Sequence, residues 1–215
     1  MLENLSLLKY EITHIEINHL LLTACVLLSY FAGTISPAIL LGKIYGVDIR
    51  NSGSGNAGTT NVLRVIGKKA AVITLLVDVA KGFIVVALAK PFAGGAFAVL
   101  CGTAVLCGHI WPLFYEFKGG KGVATALGVI LAFDFRMGLM LLILALILIL
   151  LSLRVSVGAL AAAAAFPVFM QVLHPVYFAP SILMAAIIWI KHRQNIGRIC
   201  RGEEPRLRFG KEKSE

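Results

Sequence analysis

The sequence predicts an all-α integral membrane protein, a bundle of seven transmembrane helices with its amino terminus outside and its carboxyl terminus in the cytoplasm. Three observations predict it. Hydrophobic residues make up 59% of the 215-residue chain and charged residues 14%, against about 25% charged in soluble domains, and mean hydropathy is +0.88. The apolar residues fall in runs near the ~20 that a bilayer core requires, joined by short connectors. Lys and Arg collect on one side when successive runs are laid across a membrane, as cytoplasmic loops demand. The net charge of +9 is therefore assigned to those loops and not to a nucleic-acid partner.

Residues 1–19 mix Glu3, Lys9, Glu11 and Glu16 with Leu and Ile and lack a basic leader and a small-x-small cleavage site. They read as a short tail or interfacial segment, not a cleaved signal. The membrane domain follows over 20–200, with spans at 20–44, 70–90, 93–113, 122–135, 137–153, 156–173 and 176–191, and a basic cytoplasmic tail over 201–215. Span four is the shortest, enough for about 21 Å of helix at ~1.5 Å per residue. It decides the parity: removing any one span would put the polar loops described next on opposite faces.

Three polar patches interrupt the apolar runs. The first, Arg50 to Arg64, holds Gly53, Gly55 and Gly58, whose backbone can turn with positive φ and gather N–H groups into a concavity suited to phosphate. Ser54, Asn56, Thr59, Thr60 and Asn61 add side-chain donors, and Arg50 and Arg64 bracket them with permanent charge. Gly53-x-Gly55-x-x-Gly58 also fits a dinucleotide fingerprint, with Asp78 about twenty residues on, but that pattern has meaning only between a strand and a helix. A phosphate-binding P-loop is excluded because Gly58-Thr59-Thr60 lacks its lysine.

The second patch, Glu116 to Thr125, sets Lys118 and Lys121 among Gly119, Gly120 and Gly122, just ahead of span four, whose N-terminal dipole and amides would face the same anion. The third, Lys191 to Arg198, places His192 and Asn195 three apart on one helical face. Since the patches follow spans one, three and seven, all share the cytoplasmic face and can line one pocket, joined by Arg154 and Ser156 after span five. His14, His19 and His174 fall on the opposite side.

Asp78 and Lys81 lie inside span two, where ionisable groups are expensive; at i, i+3 they read as an ion pair fixing helix packing. His109, ahead of Trp111-Pro112, is read either as satisfying a helix end or as part of the pocket. Cys25, Cys101, Cys107 and Cys200 show no metal-ligand spacing and read as small apolar fillers, so neither metal nor cofactor is expected. The chain has no His followed by Asp after four residues and no Gly-x-Ser-x-Gly elbow with partners, so acyl transfer here would need an activated donor and electrostatic stabilisation. A transporter of a small organic phosphate could use the same basic pocket.

Ser52-Gly-Ser-Gly-Asn-Ala-Gly-Thr-Thr-Asn-Val-Leu-Arg64, Gly108-His-Ile-Trp-Pro112, Phe117-Lys-Gly-Gly-Lys-Gly-Val-Ala-Thr125 and His192-Arg-Gln-Asn-Ile196 together resemble the bacterial acyl-phosphate-dependent glycerol-3-phosphate acyltransferases. The likeness runs from about residue 25 to 202, with the motifs in family order. Thr59 departs from the usual Ala, and span one reads Gly33-Thr34-Ile35-Ser36-Pro37; neither removes a charged or hydrogen-bonding group from the motifs. The resemblance implies transfer of an acyl group from acyl phosphate to the 1-hydroxyl of glycerol 3-phosphate in the bacterial cytoplasmic membrane, with the lipid bilayer and the enzyme that forms acyl phosphate as partners. It implies Ser54, Arg64, Lys121 and Asn195 as catalytic residues. Gly53, Gly55, Asn56, Thr60, Asn61, Gly119, Gly120, His192 and Ser156 are implied as substrate-binding.

Overall fold

The computed structural model describes residues 2–207, with side chains from Asn18 onward. The His14 side chain and residues 208–215 of the expected tail lie outside the described set. The regular structure among the described residues is all helical: α1 (Leu2–Thr34), α2 (Pro37–Ile44), α3 (Thr59–Val65), α4 (Lys68–Ile110), α5 (Val123–Phe133), α6 (Phe135–Ser152), α7 (Val155–Leu173), α8 (Phe178–Lys191) and α9 (Arg193–Cys200), with single 3-10 turns at Leu113–Tyr115 and Pro175–Tyr177. Four stretches, Asn18–Ile44, Lys68–Tyr115, Phe135–Ser152 and Val155–Leu173, are long and apolar enough to cross a membrane. A fifth is the pair α8–α9, bent by 61°, and α5 is a shorter apolar helix of 11 residues.

The span expected over 20–44 is broken at Ile35-Ser36, for a local reason. Pro37 disfavours helical backbone at the residue before it, so α1 stops, and Ser36 starts α2 by accepting the Ile39 amide on its Oγ. Carbonyls left without partners at this break must be satisfied elsewhere. Lys81 Nζ donates to Gly33 O at 3.1 Å and Ile35 O at 2.8 Å.

A straight helix of the 43 residues of α4 would span roughly 65 Å, twice a bilayer core. Instead Lys81 Nζ lies 2.8 Å from His109 Nδ1, positions that a straight helix would hold about 42 Å apart. The element is a hairpin of two antiparallel limbs, 68–92 and 95–110, and the turn falls where the sequence divides spans two and three. Pro91 removes a helical amide, and Gly94 takes φ 82, costly for any other residue.

Small residues set the packing. An added Cβ at Gly33 would sit 2.2 Å from Val105 O, and one at Gly108 2.0 Å from Tyr30 O, so α1 and the second limb of α4 cross backbone to backbone. Gly82 and Gly128 do the same between the first limb and α5, facing Thr125 O and Val79 O. Val86, Val105, Leu106, Ile110, Met137 and neighbours form the closed core, while Ile143, Ile147, Leu150 and Leu151 of α6 leave an apolar outer face. Gly108→Ala is expected to force α1 and α4 apart at about 1–3 kcal/mol. Thermal unfolding in detergent should register that loss, with Gly197→Ala, whose Cβ meets only the end of Arg201 at 3.4 Å, as the unaffected control.

Candidate active site

The loop after α2 is built on its own side chains. Asp48 accepts the Arg50 amide at 3.0 Å and the Asn51 side-chain amide at 2.8 Å. Gly53 and Gly55 take positive φ, as the spacing requires, at 61° and 69°. Asn61, 1% exposed, is the latch: its Oδ1 accepts the Ser54 N–H at 2.8 Å, and its Nδ2 donates to Ile49 O and Ser52 O at 3.0 Å each. Its amide is thus occupied in holding Ser54 at the exposed tip. Asn56 and Thr60 are half-buried, and Arg64 stands exposed in the last turn of α3.

The loop after α4 uses its glycines differently from the sequence expectation. Rather than aiming at an open cradle, the Gly119 and Gly120 amides donate to Ile110 O and His109 O, both at 3.2 Å. Glycine is required there by contact: a Cβ at Gly119 would sit 2.0 Å from His109 O, and at Gly120 2.2 Å from His109 Nε2. The same Gly120 Cβ would lie 2.9 Å from Ala57 O, so the first and second patches touch. Gly122, φ 83, turns the chain into α5, whose first amides have no intrahelical acceptor. Lys118 is exposed and pairs with Glu116 at 2.9 Å, whereas Lys121 turns inward.

Lys121 Nζ donates to Asn195 Oδ1, which joins the second patch to the third as parity predicts. Asn195 Nδ2 donates in turn to Glu204 Oε1 at 2.6 Å, and the same oxygen accepts Ser156 Oγ at 2.7 Å. Arg198 Nε donates to Glu204 Oε2 at 2.7 Å and Arg154 Nε to the Glu204 carbonyl at 3.2 Å. Sequence reasoning missed Glu204, which is 6% exposed. Its signal was weak, two adjacent acids in a basic stretch. Beyond Cys200 the chain is no free tail as far as Leu207, whose amide donates to Leu153 O at 2.6 Å.

His192, 3% exposed, donates from Nδ1 to Ile188 O at 2.8 Å. Burial pushes its pKa down to about 4, so at neutral pH it is an uncharged ring with a lone pair on Nε2. Burial also lowers Lys121, to about 8, followed by the charge of Arg198, with Glu204 opposing and Arg64 and Lys191 adding repulsion. Burial alone would raise Glu204, but hydrogen bonds from Ser156, Asn195 and Arg198 outweigh it and hold the carboxyl below its usual range. Behind this layer lies the expected ion pair, Lys81 Nζ to Asp78 Oδ1 at 2.8 Å, with His109 Nδ1 3.3 Å from the same oxygen. The opposite end holds His174, 2.8 Å from Asp134 Oδ2, away from these loops as expected.

An apolar helical bundle whose three polar loops meet around an inward-turned lysine is a membrane protein with a basic site at its rim. The chain belongs to the glycerol-3-phosphate acyltransferase family: the family model described as Glycerol-3-phosphate acyltransferase matches residues 23–202, as the motifs imply. A glycerol-3-phosphate acyltransferase of Thioalkalivibrio sulfidiphilus (strain HL-EbGR7) is 44% identical over 192 residues, covering 87% of this chain and 95% of the relative. One of Prochlorococcus marinus (strain MIT 9211) is 40% identical, covering 85% and 93%. The fold is similar to the crystal structure of PlsY (YgiH), an integral membrane glycerol 3-phosphate acyltransferase in its glycerol 3-phosphate form, with TM-score 0.84, 36% identity and coverage of 87% of this chain and 96% of that one. Its lysophosphatidic acid form aligns with TM-score 0.81 at 35% identity.

Proposed function

We propose that this chain transfers a fatty acyl group from acyl phosphate to the 1-hydroxyl of sn-glycerol 3-phosphate, giving lysophosphatidic acid and phosphate. The observation that carries the reading is the inward Lys121, bound to Asn195 and flanked by Arg64, Lys191 and Arg198, with Glu204 opposing them. Such an excess of positive charge suits two phosphates held side by side. A related enzyme has been solved in a glycerol 3-phosphate form and in a lysophosphatidic acid form, substrate and product of this reaction.

Arg64 and Lys121 hold phosphate oxygens, Ser54 at the loop tip orients the acyl phosphate, and Asn195 positions the acceptor. Gly53, Gly55, Asn56, Thr60 and Asn61 shape the first loop, and Gly119, Gly120, His192 and Ser156 support the second and third. The acceptor oxygen forms the new ester bond as the acyl–phosphate bond breaks, and the hydroxyl proton leaves on a phosphate oxygen. Protein bases are poorly matched to that proton: His192, at about 4, is weak, and Glu204 is saturated with donors. Efficient base catalysis needs a pKa near the working pH, so stabilisation of charge does most of the work.

The two limbs of α4, the broken α1–α2 unit, α5, α6, α7 and α8 supply seven crossings of the bacterial cytoplasmic membrane, with the amino terminus outside and the polar loops and carboxyl terminus in the cytoplasm. Residues 1–19 precede this domain at the outer side. The enzyme that makes acyl phosphate is a natural neighbour.

Purified protein should release phosphate and form lysophosphatidic acid from acyl phosphate and glycerol 3-phosphate, and do neither with acyl-CoA or acylated carrier protein. Binding of glycerol 3-phosphate without product from any donor would overturn the reading in favour of transport.

A further inference from the structure

The His109 ring bridges the ion pair and the glycine loop, and each of its nitrogens meets a different partner. On one side Nδ1 lies 2.8 Å from Lys81 Nζ and 3.3 Å from Asp78 Oδ1. Lys81 spends two of its protons on Gly33 O and Ile35 O, and its contact with Asp78 Oδ1 is ionic without an aligned hydrogen bond. The third proton is directed at Nδ1. An ammonium has no lone pair to accept with, so Nδ1 must accept, and the partner of one ring nitrogen fixes the proton on the other. His109 therefore carries its hydrogen on Nε2.

Nε2 faces Gly120, close enough that a Cβ there would lie 2.2 Å away. Among the described residues no protein acceptor takes its hydrogen. Ala57 O approaches Gly120 but forms no hydrogen bond with the ring. The side chain is 6% exposed, yet Nε2 is not among the sealed, unpartnered polar atoms. What it borders is the loop leading into Lys121, with the Gly119 and Gly120 amides already committed to α4. Lys191, its Nζ 5.6 Å from the Trp111 ring centroid, places positive charge near the same end of α4. An N–H without a protein acceptor, on a ring 6% exposed but not sealed at that nitrogen, and next to a loop whose own donors are used, is placed to donate to an anionic oxygen.

We infer that His109 contacts substrate, donating Nε2–H to a phosphate oxygen bound at the 119–121 loop, and that Lys81 and Asp78 are positioning residues that hold its ring and tautomer. The inference rests on the proposed phosphate pocket. It makes the buried pair part of the binding machinery, a role beyond helix packing.

Asparagine at 109 can reproduce the Nδ1 contacts and glutamine the Nε2 position, so three variants separate the two sides of the ring. Calorimetric titration with glycerol 3-phosphate, and separately with inorganic phosphate, should show His109→Ala weakened roughly 10- to 100-fold, the range of a hydrogen bond to a charged group. His109→Asn should match it, and His109→Gln should stay within about fivefold of wild type, with KM moving in parallel and unfolding temperatures confirming folded protein. Asparagine restoring binding while glutamine does not would overturn the inference and leave His109 a packing residue, as would three variants that bind like wild type. If His109→Ala fails to fold, the asparagine–glutamine comparison still decides. Should the wild type bind both probes but make no product, acyl transfer falls while the binding series still judges His109; if it binds neither, both fall.

Discussion

Glu204→Ala is expected to destabilise the protein by about 3–5 kcal/mol, the cost of removing one partner from a buried ionic cluster, and to abolish most activity with it. The carboxylate accepts Asn195 and Ser156 on one oxygen and Arg198 on the other, so its loss strands two neutral donors and a guanidinium. It also frees Asn195, the partner of Lys121, which couples stability to the site. Glu204→Gln keeps the shape but loses the charge facing Arg198, and should fall between. The pH sign follows from the lowered pKa. A carboxyl ionised more readily in the folded state stabilises fully above its unfolded value, near 4.5, and that contribution disappears as pH falls through the lower folded value. Wild type should therefore lose more unfolding temperature than the glutamine variant between about pH 5 and pH 3. Equal acid sensitivity in both would show that the cluster is not ionised as the geometry requires.

How far the sequence announces this site depends on the length scale of each contact. Apolar run lengths and Lys/Arg asymmetry report solvent, and they mark the helical segments, including the turn at Ala93-Gly94 that converts α4 into a hairpin. Glycines in an oily chain mark loops of special backbone, and Gly53 and Gly55 have the positive φ expected of them. The purpose of Gly119 and Gly120 was not legible, because the backbone they accommodate belongs to His109 and Ile110, a contact set by the path of the loop. Glu204 was illegible for a stronger reason. Its partners include Ser156, 48 positions away, and two adjacent acids in a basic tail carry no periodicity. Asp78 and Lys81 could be paired from their i, i+3 spacing, but their meeting with His109 needed the antiparallel limbs of α4.

The second large effect is catalytic. Lys121→Ala should lower kcat/KM by about 10²–10³, the range for losing one preorganised group that stabilises developing charge, with little change in unfolding temperature because desolvation already opposes the charged form. In free protein Lys121 titrates near 8, so kcat/KM should fall as pH rises through that value, since only the ammonium attracts phosphate. Bound phosphate favours the charged form, so the limb in kcat should lie at higher pH than the limb in kcat/KM. Lys121→Arg supplies the control. A guanidinium stays charged throughout, so this variant, though slowed by its different geometry at Asn195, should lose the alkaline limb. Arg64, Arg198 and Glu204 face Lys121 as well, and Glu204, held below its usual range, stays ionised here, leaving Lys121 and the half-buried Lys191 as the lysines to separate. Persistence of the limb in Lys121→Arg would move the titration to Lys191, and a limb shared equally by kcat and kcat/KM would remove the substrate phosphate from contact with Lys121.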